Sequence, residues 1–146
     1  QDRRYIPEVL DQLAECYKET DNQAGWFELL NSTLKKDRAI PVMLKLGEEI
    51  ESQRGATAAR EFVREVLRQQ PSLHGLSLMI HLSALQASGQ SKSDLETLQS
   101  MIERVLTSRK TYLCEHCGFR GKSMHWQCPG CKRWNNVKPV WEGSEE

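Results

Sequence analysis

The sequence predicts a mostly α-helical chain, in which an array of antiparallel helix hairpins is followed by a small β module that carries four cysteines. Three observations lead to this fold class. Apolar residues recur at three- and four-residue steps through about the first hundred residues. Four cysteines lie within the 18 residues from Cys114 to Cys131. The composition, with 38% hydrophobic and 27% charged residues, is typical of a water-soluble globular protein.

Six amphipathic helices are predicted before the cysteines, because six stretches carry apolar residues along one helical face. The gaps between them are short, so neighbouring helices should pack antiparallel. A capping box, Ser93-x-x-Glu96, is predicted to begin the sixth helix. The predicted helices cover about residues 5–19 and 23–36, Ile40 to a stop near Gly55, Ala58 to Pro71, Leu73 to Ala87, and Ser93 to Leu106.

The helices also repeat with a period of 34 residues, the separation of Pro7 and Pro41, each of which stands at the start of a helix. A unit of this length made of two helices is typical of tetratricopeptide repeats, and residues 40–71 fit that pattern best. We therefore predict about three tetratricopeptide-like helix pairs in residues 1–108. Small residues such as Gly47 should let the paired helices approach closely. A six-helix array with a coincidental period is the alternative.

The four clustered cysteines form two C-x-x-C pairs, separated by ten residues. In each pair a tight turn can present two thiolates to one ion, and two such turns close a tetrahedral all-sulfur shell. Gly118, directly after the first pair, is expected to have a positive φ. Iron and zinc suit four thiolates equally well. The sequence thus predicts one metal ion, iron or zinc, bound by Cys114, Cys117, Cys128 and Cys131.

Other residues with possible chemistry are given structural roles. Cys16 lies in the apolar stripe of the first helix and is predicted to be a buried, inert thiol. His116 and His125 are predicted not to bind the metal, because four thiolates already complete its shell. Five aromatic residues are expected to cover the metal site and dock the module onto the last helices, or else to form an exposed anchor for a partner: Tyr112, Phe119, Trp126, Trp134 and Trp141.

Charge and composition limit the function classes. Basic and acidic side chains balance over the whole chain, but residues 109–141 carry seven basic side chains and one acidic one, and the tail 142–146 carries three acidic ones. Reduced cysteines favour a cytosolic compartment. No apolar run is long enough for a membrane helix. No combination of nucleophile, base and acid stands out in the predicted helices, so a non-enzymatic protein is expected.

The cysteine motifs resemble those of a known family. The segment Tyr-x-Cys-x-x-Cys-Gly-Phe from Tyr112 is similar to the first metal-binding turn, or knuckle, of a rubredoxin, and Cys-Pro-x-Cys from Cys128 is similar to the second. Over nearly its whole length, the chain resembles the C-terminal part of the lipopolysaccharide assembly protein B (LapB) family. Two departures from rubredoxins favour a structural ion over electron transfer: the short separation of the knuckles, and Lys132 in place of the usual glycine.

This resemblance implies a regulatory adaptor of lipopolysaccharide biosynthesis. The family is described as lowering the level of LpxC, the deacetylase of lipid A synthesis, through the membrane protease FtsH. Members are also described as gathering lipopolysaccharide enzymes at the cytoplasmic face of the bacterial inner membrane. A membrane anchor and further repeats are therefore expected upstream of this chain, which begins with Gln1 rather than methionine.

Two alternative functions stay open. A zinc ribbon could bind nucleic acid through basic residues that alternate with aromatic ones, although nucleic acid is not the expected partner. A rubredoxin-like electron carrier is the other alternative. The basic residues in question are Arg109, Lys110, Arg120, Lys122, Lys132, Arg133 and Lys138.

Overall fold

A computed structural model describes residues 5–37, 39–109 and 111–140, which form six helices followed by a three-stranded sheet. The mostly helical fold class with a small four-cysteine β module is confirmed. The helices are α1 (Ile6–Glu19), α2 (Gln23–Asp37), α3 (Ile40–Arg54), α4 (Ala56–Gln69), α5 (Leu73–Ala84) and α6 (Gly89–Ser108). The strands are β1 (Tyr112–Cys114), β2 (Arg120–Gly121) and β3 (Val137–Pro139).

The helices form a stack in which each packs against the next along the chain. In addition, α3 packs against α1 and α5, so helices two positions apart also touch. Helix α3 is therefore central, and its buried side chains contribute most to one continuous core. The largest fully buried side chains of the stack are Leu30, Val42, Met43, Leu46, Val63 and Leu82.

Gly47 lies where α3 packs tightly against its neighbours. A Cβ atom at this position would be 2.8 Å from Leu78 Cδ2 on α5 and 3.4 Å from Val63 Cγ2 on α4. Ala59 on α4 is completely buried. The prediction that Gly47 allows close helix approach is confirmed, and the close approach involves α5 as well as the paired helix α4.

The connection between α5 and α6 differs from the prediction. Helix α5 ends at Ala84, three residues early, because the chain tightens into a turn in which the Gln86 N–H donates to the Ser83 carbonyl and the Ala87 N–H donates to the Ala84 carbonyl, each three residues back. Gly89, with a φ of +59°, is the first residue of α6, whereas the prediction began this helix at Ser93. The predicted capping box is therefore wrong: Ser93 lies inside α6, where its carbonyl accepts a hydrogen bond from the Thr97 hydroxyl.

The sheet has the order β2-β1-β3, with β1 antiparallel to both neighbours. Tyr112 pairs with Pro139 and Cys114 with Val137. The module has a core of its own, separate from that of the helices, and the buried residues of its hydrophobic cluster are Cys114, Cys128 and Val137. Among the residues described, no helix combines the length and apolar character needed to cross a membrane. Trp141 and the predicted acidic tail 142–146 lie outside the described residues.

Candidate metal centre

The four predicted cysteines converge at one end of the sheet. All four Sγ atoms lie within 4.8 Å of one another. The Cys114 and Cys131 sulfurs are 3.8 Å apart, and the Cys117 and Cys128 sulfurs are 3.6 Å apart. Cys114 and Cys128 are buried, whereas Cys117 is exposed. Each close contact joins one knuckle to the other, so the cluster holds the two knuckles together.

The first knuckle is the turn between β1 and β2. Cys114 ends β1, its N–H donates to the Phe119 carbonyl at 2.8 Å, and its own carbonyl accepts from the Gly118 N–H at 2.9 Å. Gly118 has a φ of +74°, which confirms the predicted positive φ. The turn folds Cys117 back toward Cys114 and directs both sulfurs to the same point.

The second knuckle has the same pattern of backbone hydrogen bonds. The Lys132 N–H donates to the Cys128 carbonyl at 2.9 Å, and the Cys128 N–H donates to the Arg133 carbonyl at 2.9 Å. Lys132 has a φ of +61°, so it occupies the left-handed region that glycine favours. A Cβ atom at Gly130 would lie 3.4 Å from the Cys117 sulfur, so this residue packs in van der Waals contact with the cluster.

The backbone also adjusts the acidity of the thiols. The pKa of Cys128 is lowered to about 7, chiefly because the backbone N–H of Cys131 donates to its sulfur, with a further donor at Gly130. At Cys117 the backbone N–H of Phe119 favours the thiolate, but desolvation and hydrogen bonds shared with the other sulfurs raise the pKa to about 11. A cation that displaces the proton would therefore be needed to hold Cys117 as a thiolate near neutral pH.

The arrangement fits one metal ion. A tetrahedral ion with metal–sulfur bonds of about 2.3 Å places neighbouring sulfurs about 3.8 Å apart, close to the 3.6 and 3.8 Å separations found here. A disulfide would require about 2.05 Å. An ion bound by these sulfurs would neutralise the thiolates and crosslink the two knuckles. This is the chemistry of a structural site, since all four tetrahedral positions are taken by protein sulfur.

The module rests on the start of α1. The Tyr112 hydroxyl donates a 2.7 Å hydrogen bond to the Glu8 carboxylate. Tyr5 packs against Trp126 with ring centroids 5.7 Å apart. Lys138 Nζ donates to the Tyr5 hydroxyl at 2.8 Å and lies 4.5 Å from the centre of its ring. The prediction that the aromatic residues dock the module onto the last helices is therefore wrong for Tyr112 and Trp126, whose contacts are with Glu8 on α1 and with Tyr5 just before it.

One further contact joins the module to α6. Lys122 Nζ donates to the Thr107 carbonyl at 2.9 Å, in the last turn of that helix. The carbonyls at the end of a helix lack partners within the helix, so a lysine is a favourable donor there. The module therefore touches both the first and the last helix of the stack. Lys122 and Lys138, two of the predicted basic residues, are engaged in these contacts.

Residues 112–139 match a family model described as the Rubredoxin metal binding domain. The chain is 29% identical to lipopolysaccharide assembly protein B of Escherichia coli (strain K12) over 142 residues, which are 96% of this chain and 36% of that protein. It is 30% identical to the protein of the same name from Haemophilus influenzae over 141 residues, 93% of this chain and 35% of that protein. The resemblance to lipopolysaccharide assembly protein B is confirmed. The chain spans about a third of the length of these relatives.

The remaining predicted residues have mixed outcomes. Cys16 is exposed, so its predicted burial is wrong: the apolar arc of α1 is wider than the surface that α2 and α3 cover, and Val9 on the same side is exposed too. His125 lies against Phe119 with ring centroids 6.2 Å apart and does not join the sulfur cluster. Tyr112 and Phe119 pack against the buried cysteines, as predicted, whereas Trp126 and Trp134 are 56% and 65% exposed. Sequence reasoning missed Tyr5 and Glu8, which have no local motif.

Proposed function

We propose that this chain is a non-enzymatic adaptor in lipopolysaccharide assembly, in which the helices hold protein partners and the metal module fastens the ends of the stack. The observation that carries the proposal is the similarity to lipopolysaccharide assembly protein B over 96% of the chain. The chemistry agrees with it. Within the described residues, the one group of side chains suited to bind a metal is the four-cysteine cluster, in which protein sulfur fills the whole shell.

The division of labour follows the architecture. We assign residues 1–108 to tetratricopeptide repeats, residues 109–141 to the metal module, and residues 142–146 to an acidic tail. Helix α6 ends at Ser108 and β1 begins at Tyr112, which supports this division. Contacts between helices two positions apart, with Gly47 at a tight approach of α3 and α5, support a stack of repeated helix pairs.

The ligands that we assign to the metal are Cys114, Cys117, Cys128 and Cys131. Elemental analysis of the purified chain should give one iron or one zinc per molecule. An iron-loaded protein would be red and a zinc-loaded one colourless. A reversible one-electron couple in the iron form would favour an electron carrier over an adaptor.

The finer proposal concerns the partners. Through its relatives, we place the protein at the cytoplasmic face of the inner membrane, where it would promote degradation of LpxC by FtsH. On this proposal the module matters because it touches both α1 and α6 and so fixes the shape of the helical surface that partners meet. Loss of the metal should then abolish regulation even though the helices remain.

The test compares cysteine variants in cells that express the protein. Cys114→Ser and Cys128→Ser each remove a buried sulfur from the cluster and should release the metal, disorder the module and allow LpxC to accumulate. Cys16→Ser is the matched control, because Cys16 is exposed and lies outside the cluster. It should keep both the metal and normal LpxC levels, measured by elemental analysis and immunoblotting.

Normal LpxC levels in a metal-free Cys114→Ser strain would show that the module is not needed for regulation. Normal LpxC in a strain that lacks the protein altogether would contradict the proposed pathway. The two results separate the role of the metal from the role of the chain.

A further inference from the structure

The turn after the second knuckle displays three consecutive exposed side chains, Lys132, Arg133 and Trp134, which we call the knuckle tip. Trp134 is 65% exposed, more than any other large hydrophobic residue that is described. None of the three side chains has a hydrogen bond, ion pair or ring contact to the residues that the structure describes. The tip is therefore free to meet a partner.

The backbone of the tip is held firmly although its side chains are free. The carbonyls of all three residues accept hydrogen bonds: from Gln127 Nε2 at Lys132, from the Cys128 N–H at Arg133, and from Asn136 Nδ2 at Trp134. Non-glycine residues with φ near +60°, Lys132 and Asn135, stand at its start and just beyond its end. Because its backbone is already fixed, the knuckle tip loses little conformational freedom on binding. Backbone conformations that are rare for non-glycine residues are also common at binding sites.

The charge of the tip selects an anionic partner. Lys132 and Arg133 contribute two positive charges, and residues 109–141 carry seven basic side chains against one acidic. Four thiolates around a divalent ion add about two negative charges, which leaves this part of the chain at about +4. The partner must therefore offer negative charge together with a place for an indole ring.

The exposure of the tip favours binding to an extended surface over binding to a single nucleic-acid strand. Its neighbours Pro129, Gly130 and Asn135 are also exposed, so the tip is open to solvent before and after its three residues. Single-stranded nucleic acid is held in a basic groove with several stacking rings, whereas here Trp126 packs on Tyr5 and Lys122 is occupied at α6. Tryptophan prefers the interface between membrane and water, and basic side chains bind beside anionic lipid.

We propose that the knuckle tip docks on an anionic lipid bilayer, with the Trp134 ring at the level of the headgroups and Lys132 and Arg133 beside the lipid phosphates. The surface is independent of the protein that the helices hold. Docking of the knuckle tip would turn the metal module toward the membrane.

The experiment measures binding of the metal-loaded, full chain to vesicles at millimolar lipid, by sedimentation and by tryptophan emission. Vesicles that contain phosphatidylglycerol should bind and shift the emission to the blue, and pure phosphatidylcholine vesicles should not. Binding should weaken as salt is raised. The variant Trp134→Phe should lose the blue shift.

The charge variants locate the surface. Lys132→Gln with Arg133→Gln should bind roughly 30-fold more weakly, since each basic side chain near an anionic bilayer strengthens binding about fivefold. The matched control is Lys35→Gln with Lys36→Gln, which removes two exposed, adjacent lysines from α2 and should bind as the parent does. Metal content and helical circular dichroism should be equal in all variants.

Three outcomes would overturn the proposal. The first is no binding to phosphatidylglycerol vesicles at millimolar lipid. The second is equal binding by the Lys132/Arg133 variant and the Lys35/Lys36 control. The third is tighter binding of the tip to a polyglutamate peptide or to a single-stranded oligonucleotide than to the vesicles, which would reassign the surface to a protein or nucleic-acid partner.

Discussion

Lys132 occupies a backbone conformation that glycine usually adopts, with a φ of +61° directly after the last cysteine of the cluster. The left-handed region costs a residue with a Cβ atom about 1 kcal/mol or more. We therefore predict that Lys132→Gly stabilises the module by about 1 kcal/mol, seen as slower loss of metal to a chelator. Exposed Arg133, replaced by glycine as the control, should give no such gain. Faster metal loss from Lys132→Gly would contradict the prediction.

Gly47 is the second residue whose size matters. A leucine there would have to enter the space held by Leu78 and Val63, and overpacking of this kind costs about 1–3 kcal/mol. Gly47→Ala should stay within about 1 kcal/mol of the parent, because the better helix propensity of alanine offsets a small shift of the Leu78 side chain. Urea unfolding followed by circular dichroism measures both variants.

The control for Gly47→Leu is Gln53→Leu, at an exposed position of the same helix. It adds a leucine without overpacking and should change the free energy of unfolding by less than about 0.5 kcal/mol. Equal effects of the two leucine substitutions would mean that α3 does not pack as closely on α5 as described.

At the scale of elements, the contact between the module and α1 depends on the bond from Tyr112 to Glu8. The pKa of Tyr112 is raised to about 12 by burial and by this carboxylate, so the hydroxyl is protonated and donates at neutral pH. Tyr112→Phe leaves the half-buried carboxylate without its donor, which costs about 1–3 kcal/mol. We expect faster amide hydrogen exchange in α1 and β1 of this variant.

Tyr17→Phe is the control for Tyr112→Phe, because Tyr17 lies in the same helix as Glu8 but packs its ring on Trp26 and has no hydrogen bond at its hydroxyl among the described residues. It should leave exchange in β1 unchanged. Unchanged exchange in both variants would show that the hydroxyl bond contributes nothing to docking.

Helices and metal cluster were predictable because their signals are local. Apolar periodicity defined the six helices, and the spacing of Cys114, Cys117, Cys128 and Cys131 defined the cluster. The docking site on α1 was not predictable, since Tyr112 and Glu8 are 104 residues apart and neither belongs to a motif. Cys16 was misjudged because periodicity shows which face is apolar and not how much of it a neighbour covers.

For the whole molecule, the two separate cores predict two kinds of stability. The helical stack has a core of aliphatic and aromatic residues, whereas the module buries little besides Cys114, Cys128 and Val137. Structural zinc contributes about 10–16 kcal/mol to the folding of small domains. Removal of the metal by a chelator should therefore unfold the module and leave the helices folded.

Circular dichroism and tryptophan emission distinguish these outcomes. After chelation, the helical signal should remain within about a tenth of its starting value, because the module contains only short strands and turns. The emission of Trp126 should change, as its ring leaves Tyr5. Complete loss of the helical signal on chelation would mean that the stack has no stability of its own.

The module's contacts at both ends of the stack have a mechanical consequence. In an array of stacked helix pairs, each pair contacts only its near neighbours, so the two ends of the array can move relative to each other. Here the Glu8–Tyr112 bond and the Thr107–Lys122 bond connect the first helix, α1, to the last helix, α6, through the module. A pull on the array therefore loads the β1–β2 pair first, because Tyr112 pairs with Gly121 directly beside Lys122.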